Sequence, residues 1–324
     1  MKNINLYGIG IALVTPFNQK GEIDFISLEK IVSYVINEGV QYLVLLGTTG
    51  ETPTLKLKEK IDIINCVKNI SQNRIPIVLG MGSNNTEDVL LTLKLIKLDN
   101  FEAILSVCPY YNKPSQEGIY NHFKTISENT EMKIIIYNVP HRTGTNINLD
   151  TINRLINNRD NIIGIKEASG NIIQSYNFIK HKIKKDFLVF SGDDTIGLPI
   201  VLGGGDGIIS VIGQAFPKEL DFIYKFASKK KVNKAYKLYY KIFKILNLVF
   251  KEGNPSGIKT LLKIKGLCNK YVRLPLLKGS KTLEKKLYIE YNNMLKYNEN
   301  KLYNNMLKTQ YNTIKTQYNE NKYN

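Results

Sequence analysis

Eight short apolar runs punctuate the chain between residues 9 and 211, at 9–14, 42–46, 75–79, 103–107, 133–137, 162–165, 187–190 and 207–211. They are rich in Ile, Val and Leu, and their apolar residues are continuous rather than alternating. Continuous hydrophobicity suits parallel strands covered on both faces. Helix-like stretches lie between the runs, for example 57–70, 88–98, 116–127, 149–156 and 172–183. Eight strands alternating with helices predict an α/β chain folded as a (β/α)8 barrel over residues 1–226. The alternative is an open doubly wound sheet. No Gly-x-Gly-x-x-Gly turn follows the first run, and a count of eight favours closure.

The pattern changes after residue 226. Stretches 232–251 and 256–268 read as helices, split by Gly253-Asn254-Pro255. They predict a C-terminal helical region over 227–290. From 291 to 324 the chain turns repetitive: Tyr291-Asn292-Asn293-Met294-Leu295-Lys296 returns at 303–308. Short polar repeats supply little apolar surface, so 291–324 is expected to be a disordered tail.

Composition excludes several function classes. No apolar run reaches the roughly 18–20 residues of a membrane span, and no secretory signal is evident at the start. Cys66, Cys108 and Cys268 are scattered in apolar surroundings, as expected of reduced thiols in a cytoplasmic protein. His122, His141 and His181 show no metal-ligand spacing. The formal charge of +17 raises the question of nucleic acid. Its lysines are spread among Asn, Ile and Tyr, with no basic block and no helix-turn-helix or zinc-finger pattern. A/T-rich codons account for all four residue types. A positive field would also favour carboxylate substrates. No nucleic-acid partner and no membrane partner are expected.

The candidate chemistry sits where a barrel puts it, at the carboxyl ends of strands. Lys166 closes the sixth run. Burial there disfavours its ammonium form and frees the amine as a nucleophile, which can form a Schiff base with a ketone. Thr48 and Thr49 follow the second run, Tyr110 and Tyr111 the fourth, and Tyr137 closes the fifth. Arg142 follows in Val139-Pro140-His141-Arg142-Thr143-Gly144, and Ile209 lies in the eighth run. Each has a plain alternative. Lys166 could snorkel to water, Thr48 and Thr49 could cap a helix, and Tyr137 could be core. Arg142 could pair with a nearby carboxylate, and the paired tyrosines could face another subunit. Gly192-Asp193-Asp194 reads as ordinary turn residues and stays outside the catalytic set.

These motifs together carry a resemblance. Gly47-Thr48-Thr49-Gly50-Glu51, the stretch 109–118, Tyr137–Gly144, 162–170, Ser191–Asp194 and Arg273-Leu274-Pro275 resemble the dihydrodipicolinate synthase family of pyruvate-dependent aldolases. The resemblance runs from about residue 9 to 276. It implies a carbon–oxygen lyase that condenses pyruvate with L-aspartate 4-semialdehyde, the committed step towards diaminopimelate and lysine. It implies that Lys166 forms the imine and that Tyr137, Thr48 and Tyr111 relay protons, with Tyr111 contributed by a neighbouring subunit. Thr49 and the Ile209 backbone would hold pyruvate, and Arg142 the carboxylate of the semialdehyde. No metal or organic cofactor is implied, and the expected assembly is a homotetramer built from dimers.

Other pyruvate-dependent aldolases remain the runner-up, of the N-acetylneuraminate lyase or 2-keto-3-deoxy sugar acid type. Their first motif more often reads Gly-Ser-Thr-Gly-Glu, and they generally lack Pro-x-Arg-Thr-Gly. A non-catalytic pyruvate-binding barrel is the third reading, disfavoured because Lys166 and Tyr137 are both present. In family members regulated by lysine, an effector site lies at a subunit interface. The matching candidates here are Asn84, Asp88 and Tyr110. Leu57 and Lys60 stand where sensitive members often carry histidines, so weak or absent inhibition is expected.

Overall fold

Each apolar run becomes one strand of a closed parallel barrel in the computed structural model, which describes residues 6–299. The order is β1 (Gly8–Ala12), α1 (Phe25–Asn37), β2 (Tyr42–Leu45), α2 (Leu57–Ser71), β3 (Ile77–Met81) and α3 (Thr86–Leu95). It continues with β4 (Ala103–Val107), α4 (Gln116–Glu128), β5 (Ile134–Asn138), the short α5 (Pro140–Thr143), α6 (Leu149–Asn158) and β6 (Ile162–Glu167). Then come α7 (Ile172–His181), β7 (Leu188–Ser191), α8 (Gly197–Leu202), β8 (Gly207–Ser210) and α9 (Pro217–Ser228). Three more helices follow: α10 (Val232–Lys251), α11 (Ser256–Ile264) and α12 (Lys281–Glu299). Strands pair with their sequence neighbours, and β8 closes on β1 with Gly10 opposite Ile209. The expected (β/α)8 barrel with a helical extension is therefore the observed fold.

Local chemistry explains the alternation. Asp24, Asn85, Ser115, Asn148 and Asn171 each accept a backbone N–H of the helix they precede, which satisfies donors that have no intrahelical partner. The strands bury both faces. One set of side chains, including Tyr42, Leu105, Ile135 and Phe190, fills the barrel interior. The other, including Ile9, Ile104, Ile136 and Ile165, packs outward under the helices. Tyr42 meets Phe190 edge-on at 6.0 Å between ring centres. Gly10 makes room for it, since a Cβ at that position would stand 2.1 Å from the Tyr42 ring. Among the described residues no helix is long and apolar enough to cross a membrane.

Helix α12 runs through the boundary expected at 291. Leu283, Leu287, Tyr291 and Met294 follow at spacings of four, four and three residues, which places them on one helical face. Leu283 and Leu287 are buried, and Met294 is 6% exposed. The Tyr291 ring lies 6.2 Å from that of Phe216, with Lys265 Nζ 5.1 Å from its centre. Polar composition hid this stripe. Residues 300–324, the rest of the expected tail, lie outside the described residues. Ending the chain after Tyr291 removes Met294 from the core. The expected loss is about 1.5–3 kcal/mol, measurable as a lower denaturation midpoint than that of the chain ended after Glu299.

Candidate active site

The sixth strand ends on two charged residues, and strand alternation sends them to opposite faces. Lys166 is 5% exposed, with Nζ 4.2 Å from the centre of the Tyr137 ring. Tyr137 belongs to the cluster that fills the barrel. The two are register partners between β5 and β6, so residues from separate motifs share one rung. Gly192, after β7, keeps the rung open. A Cβ there would stand 2.9 Å from Lys166 Cε and 3.0 Å from its Cγ.

The next rung faces outward and fastens the first. Glu167 is buried and accepts Asn138 Nδ2 at 2.7 Å, Ser169 N at 2.7 Å and Gln174 Nε2 at 3.1 Å. Asn138 also donates to Asn146 Oδ1 at 2.8 Å and accepts Ile147 N at 3.2 Å. The residues directly after Tyr137 and Lys166 are thus locked to each other. Burial, reinforced by the Glu167 charge, pushes the Cys108 thiol pKa up. An inert thiol beside the site follows.

Thr48, Thr49 and Gly50 form a single 3-10 turn after β2. Thr49 is buried, and Asn254 Nδ2 donates to its Oγ1 at 2.9 Å. Thr15 Oγ1 donates to Gly50 O at 2.7 Å. Glu51 then turns into the left-handed region (φ 54°) and sends its carboxylate inward. There it meets Lys259 Nζ at 2.5 Å, both side chains being 0% exposed, and accepts Arg273 N at 2.9 Å. Burial lowers the Lys259 pKa, and the Glu51 carboxylate opposes that. The Arg273 guanidinium reaches Glu59 at 2.5 and 2.9 Å and holds its carboxyl down to about 2. The 48–51 turn is therefore clamped from the region that follows the barrel.

The remaining candidates lie around the same rim. Ile209 is buried in β8. The segment after it hangs on Asp194, whose carboxylate accepts Ser210 Oγ at 2.5 Å, Val211 N at 2.8 Å and Ile212 N at 3.0 Å. Gly192 and Asp194 are thus more than the ordinary turn residues read from sequence: one gives Lys166 its space, the other fixes the end of β8. Arg142, exposed on α5, donates through Nη2 to Asn254 O at 3.4 Å. Tyr111 is 87% exposed, with φ 74°, and its N–H donates to Thr143 O at 3.2 Å. Its ring is turned to solvent. Asn84 and Asp88 lie beside the loop of the half-buried Tyr110. Asn112 Nδ2 donates to Asn84 O at 2.9 Å, and Asp88 accepts Ser83 Oγ at 3.1 Å and Asn85 Nδ2 at 3.2 Å.

Sequence reading missed Asn254 and Lys259. Asn254 stood only as part of a helix break, and Lys259 as one residue of the helix read at 256–268. Neither carries a local signal, because its partner is more than 200 residues away. Among the described residues no group of three or more His, Cys, Asp or Glu could hold a metal ion.

Comparison with known proteins agrees with this geometry. The model of the dihydrodipicolinate synthetase family matches residues 5–293. The chain is 98% identical over 296 residues to the 4-hydroxy-tetrahydrodipicolinate synthase of Karelsulcia muelleri, covering 91% of this chain and 99% of that one. It is 48% identical over 280 residues to the synthase of the same name from Flavobacterium psychrophilum, covering 86% and 95%. A crystal structure of the chloride-inhibited dihydrodipicolinate synthase from Acinetobacter baumannii, complexed with pyruvate, superposes with a TM-score of 0.86 at 37% identity, covering 89% of this chain and 99% of that one. A barrel with a buried lysine–tyrosine rung, matched by a family model over nearly its whole described length, leads to one assignment: the chain belongs to the dihydrodipicolinate synthetase family.

Proposed function

We propose that the chain condenses pyruvate with L-aspartate 4-semialdehyde to give 4-hydroxy-tetrahydrodipicolinate, through an imine on Lys166. The observation that carries this reading is the Lys166–Tyr137 rung, a buried amine 4.2 Å from the ring of a phenol at the barrel mouth. The synthase names of close relatives favour this condensation over the other aldolase reactions.

The Lys166 amine adds to the pyruvate ketone, and loss of water leaves an iminium. The iminium withdraws electrons, so a methyl proton can leave and an enamine forms. The enamine carbon attacks the aldehyde, and the new alkoxide takes a proton from Tyr137. The amino group of the second substrate then attacks the iminium carbon, closing the ring and releasing the lysine. The imine itself supplies the electron sink, and no metal or organic cofactor enters the scheme. Thr48 and Tyr111 complete the proton relay with Tyr137. Thr49 and the Ile209 backbone hold the pyruvate carboxylate end, and Arg142 meets the carboxylate of the semialdehyde.

The exposure of Tyr111 supports its delivery to a second copy of the chain, which makes the active form a homo-oligomer, a tetramer built from dimers. The barrel of residues 1–226 carries the chemistry, and the region 227–290 braces it. The setting is cytoplasmic. The test is an assay of the purified protein with pyruvate and the semialdehyde. Turnover of this pair is expected; cleavage of N-acetylneuraminate or a 2-keto-3-deoxy sugar acid instead would overturn the substrate assignment.

Arg142→Ala is expected to raise the semialdehyde KM by roughly ten- to a hundredfold, the effect of losing a charge-assisted contact of about 1.5–3 kcal/mol. Pyruvate trapping by borohydride should be little changed. Equal loss of both functions would mark a structural arginine.

L-Lysine is expected to inhibit weakly or not at all. Leu57 offers no hydrogen bond, and Lys60 brings a like charge towards an effector bearing ammonium groups. Full inhibition by submillimolar lysine at subsaturating pyruvate would contradict the reading of Asn84, Asp88 and Tyr110 as a weakened site.

A further inference from the structure

We propose that Asn254 is a positioning residue that sets the direction of the Thr49 hydroxyl and thereby strengthens pyruvate binding. The inference rests on the reading of Thr49 as a donor to the pyruvate carboxylate.

A threonine hydroxyl has one proton and two lone pairs. Asn254 is 9% exposed, and its Nδ2 donates to Thr49 Oγ1 at 2.9 Å. That contact occupies a lone pair and leaves the single hydroxyl proton free to point at a substrate. Turning the amide over would reverse the roles. Oδ1 would take the threonine proton, and none would remain for pyruvate.

The surroundings favour the donor orientation. Oδ1 is buried without a hydrogen-bond partner among the described residues. In the reversed orientation the unpartnered group would be the NH2. Buried orphan N–H groups are rarer than under-satisfied carbonyl oxygens.

The amide and its target are also fastened to each other. Asn254 O accepts Arg142 Nη2 at 3.4 Å. Five residues on, Lys259 grips Glu51 at 2.5 Å, two residues beyond Thr49. Two buried links therefore join the 49–51 turn to the 254–259 segment. The threonine donor is aimed before substrate arrives, so little of the binding energy is lost to reorganisation.

Steady-state kinetics of the full-length protein test this. Asn254→Asp keeps the side-chain shape but replaces the donor with an acceptor that captures the Thr49 proton. The pyruvate KM is expected to rise about tenfold or more, with kcat at saturating pyruvate within about threefold. Asn254→Leu removes the donor without adding an acceptor and should raise the pyruvate KM about three- to fivefold. Thr49→Val should raise it by itself. In that background Asn254→Leu should add less than about twofold, because no hydroxyl remains to be aimed. An equal effect of Asn254→Leu in both backgrounds would overturn the proposal and assign Asn254 to packing alone. An unchanged pyruvate KM in Thr49→Val would instead remove the Thr49 reading, and the proposal with it. If the melting curve shows that Asn254→Asp does not fold, the leucine cycle still decides.

Discussion

Lys166→Arg is expected to lower kcat by at least about 10³-fold, or roughly 4 kcal/mol of activation free energy. The substitution keeps most of the stem, so packing contacts change little. A guanidinium stays protonated at any accessible pH and cannot add to a ketone. Without the imine, the pyruvate methyl has no electron sink and its proton is not removed. The space around the side chain is tight, since Gly192 already lies against Cγ and Cε. A melting curve must therefore accompany the rate. Loss of rate with the melting curve retained supports the covalent role. A variant that turns over within tenfold of the parent would exclude it.

Lys259→Met should be the most destabilising single change at the site, by about 3–5 kcal/mol. Lys259 and Glu51 are fully buried, and the lysine also bonds Tyr271 O at 2.8 Å. Methionine fills a similar volume but leaves the Glu51 carboxylate without its cation in an apolar setting. The pair itself need not be a net gain, because desolvating two charges offsets much of their attraction. Removing both should therefore recover stability. Glu51→Leu with Lys259→Met is expected to unfold at higher denaturant than Lys259→Met alone. Chemical denaturation of the parent, each single variant and the double variant measures the coupling. Additive losses would show that the two side chains do not act as a pair. Activity of the double variant should stay low even where stability returns, since Glu51 also sets the left-handed turn after Thr49.

Where burial is two-sided, pattern was enough. All eight strands were legible because both faces of each are covered, so each reads as an unbroken apolar run. Helices such as α10 and α4 were legible as helix-like stretches between or after the apolar runs, and the structure adds the Ser115 cap of α4. The end of α12 was not. Its buried stripe uses Tyr291 and Met294 among asparagines and lysines, and composition outweighed spacing there. Lys166 and Tyr137 could be expected together because both end strands, and the structure brings them onto one rung. The brace around Thr49 could not. Asn254 and Lys259 reach the barrel from the helical region that follows it, and contacts across 205 and 208 residues leave no trace in local sequence. Asp194 was missed for another reason: an aspartate after a strand is common in turns, and only its three buried donors set it apart.

The proposed mechanism holds pyruvate covalently on one particular amine. The protein carries 45 lysines and arginines, so chemistry at another lysine is a real alternative. Borohydride reduction in the presence of pyruvate, followed by proteolysis and mass mapping, separates them. A single reduced pyruvate adduct on Lys166, absent from Lys166→Arg, is expected. An adduct on a different lysine, or trapping that survives in Lys166→Arg, would contradict it.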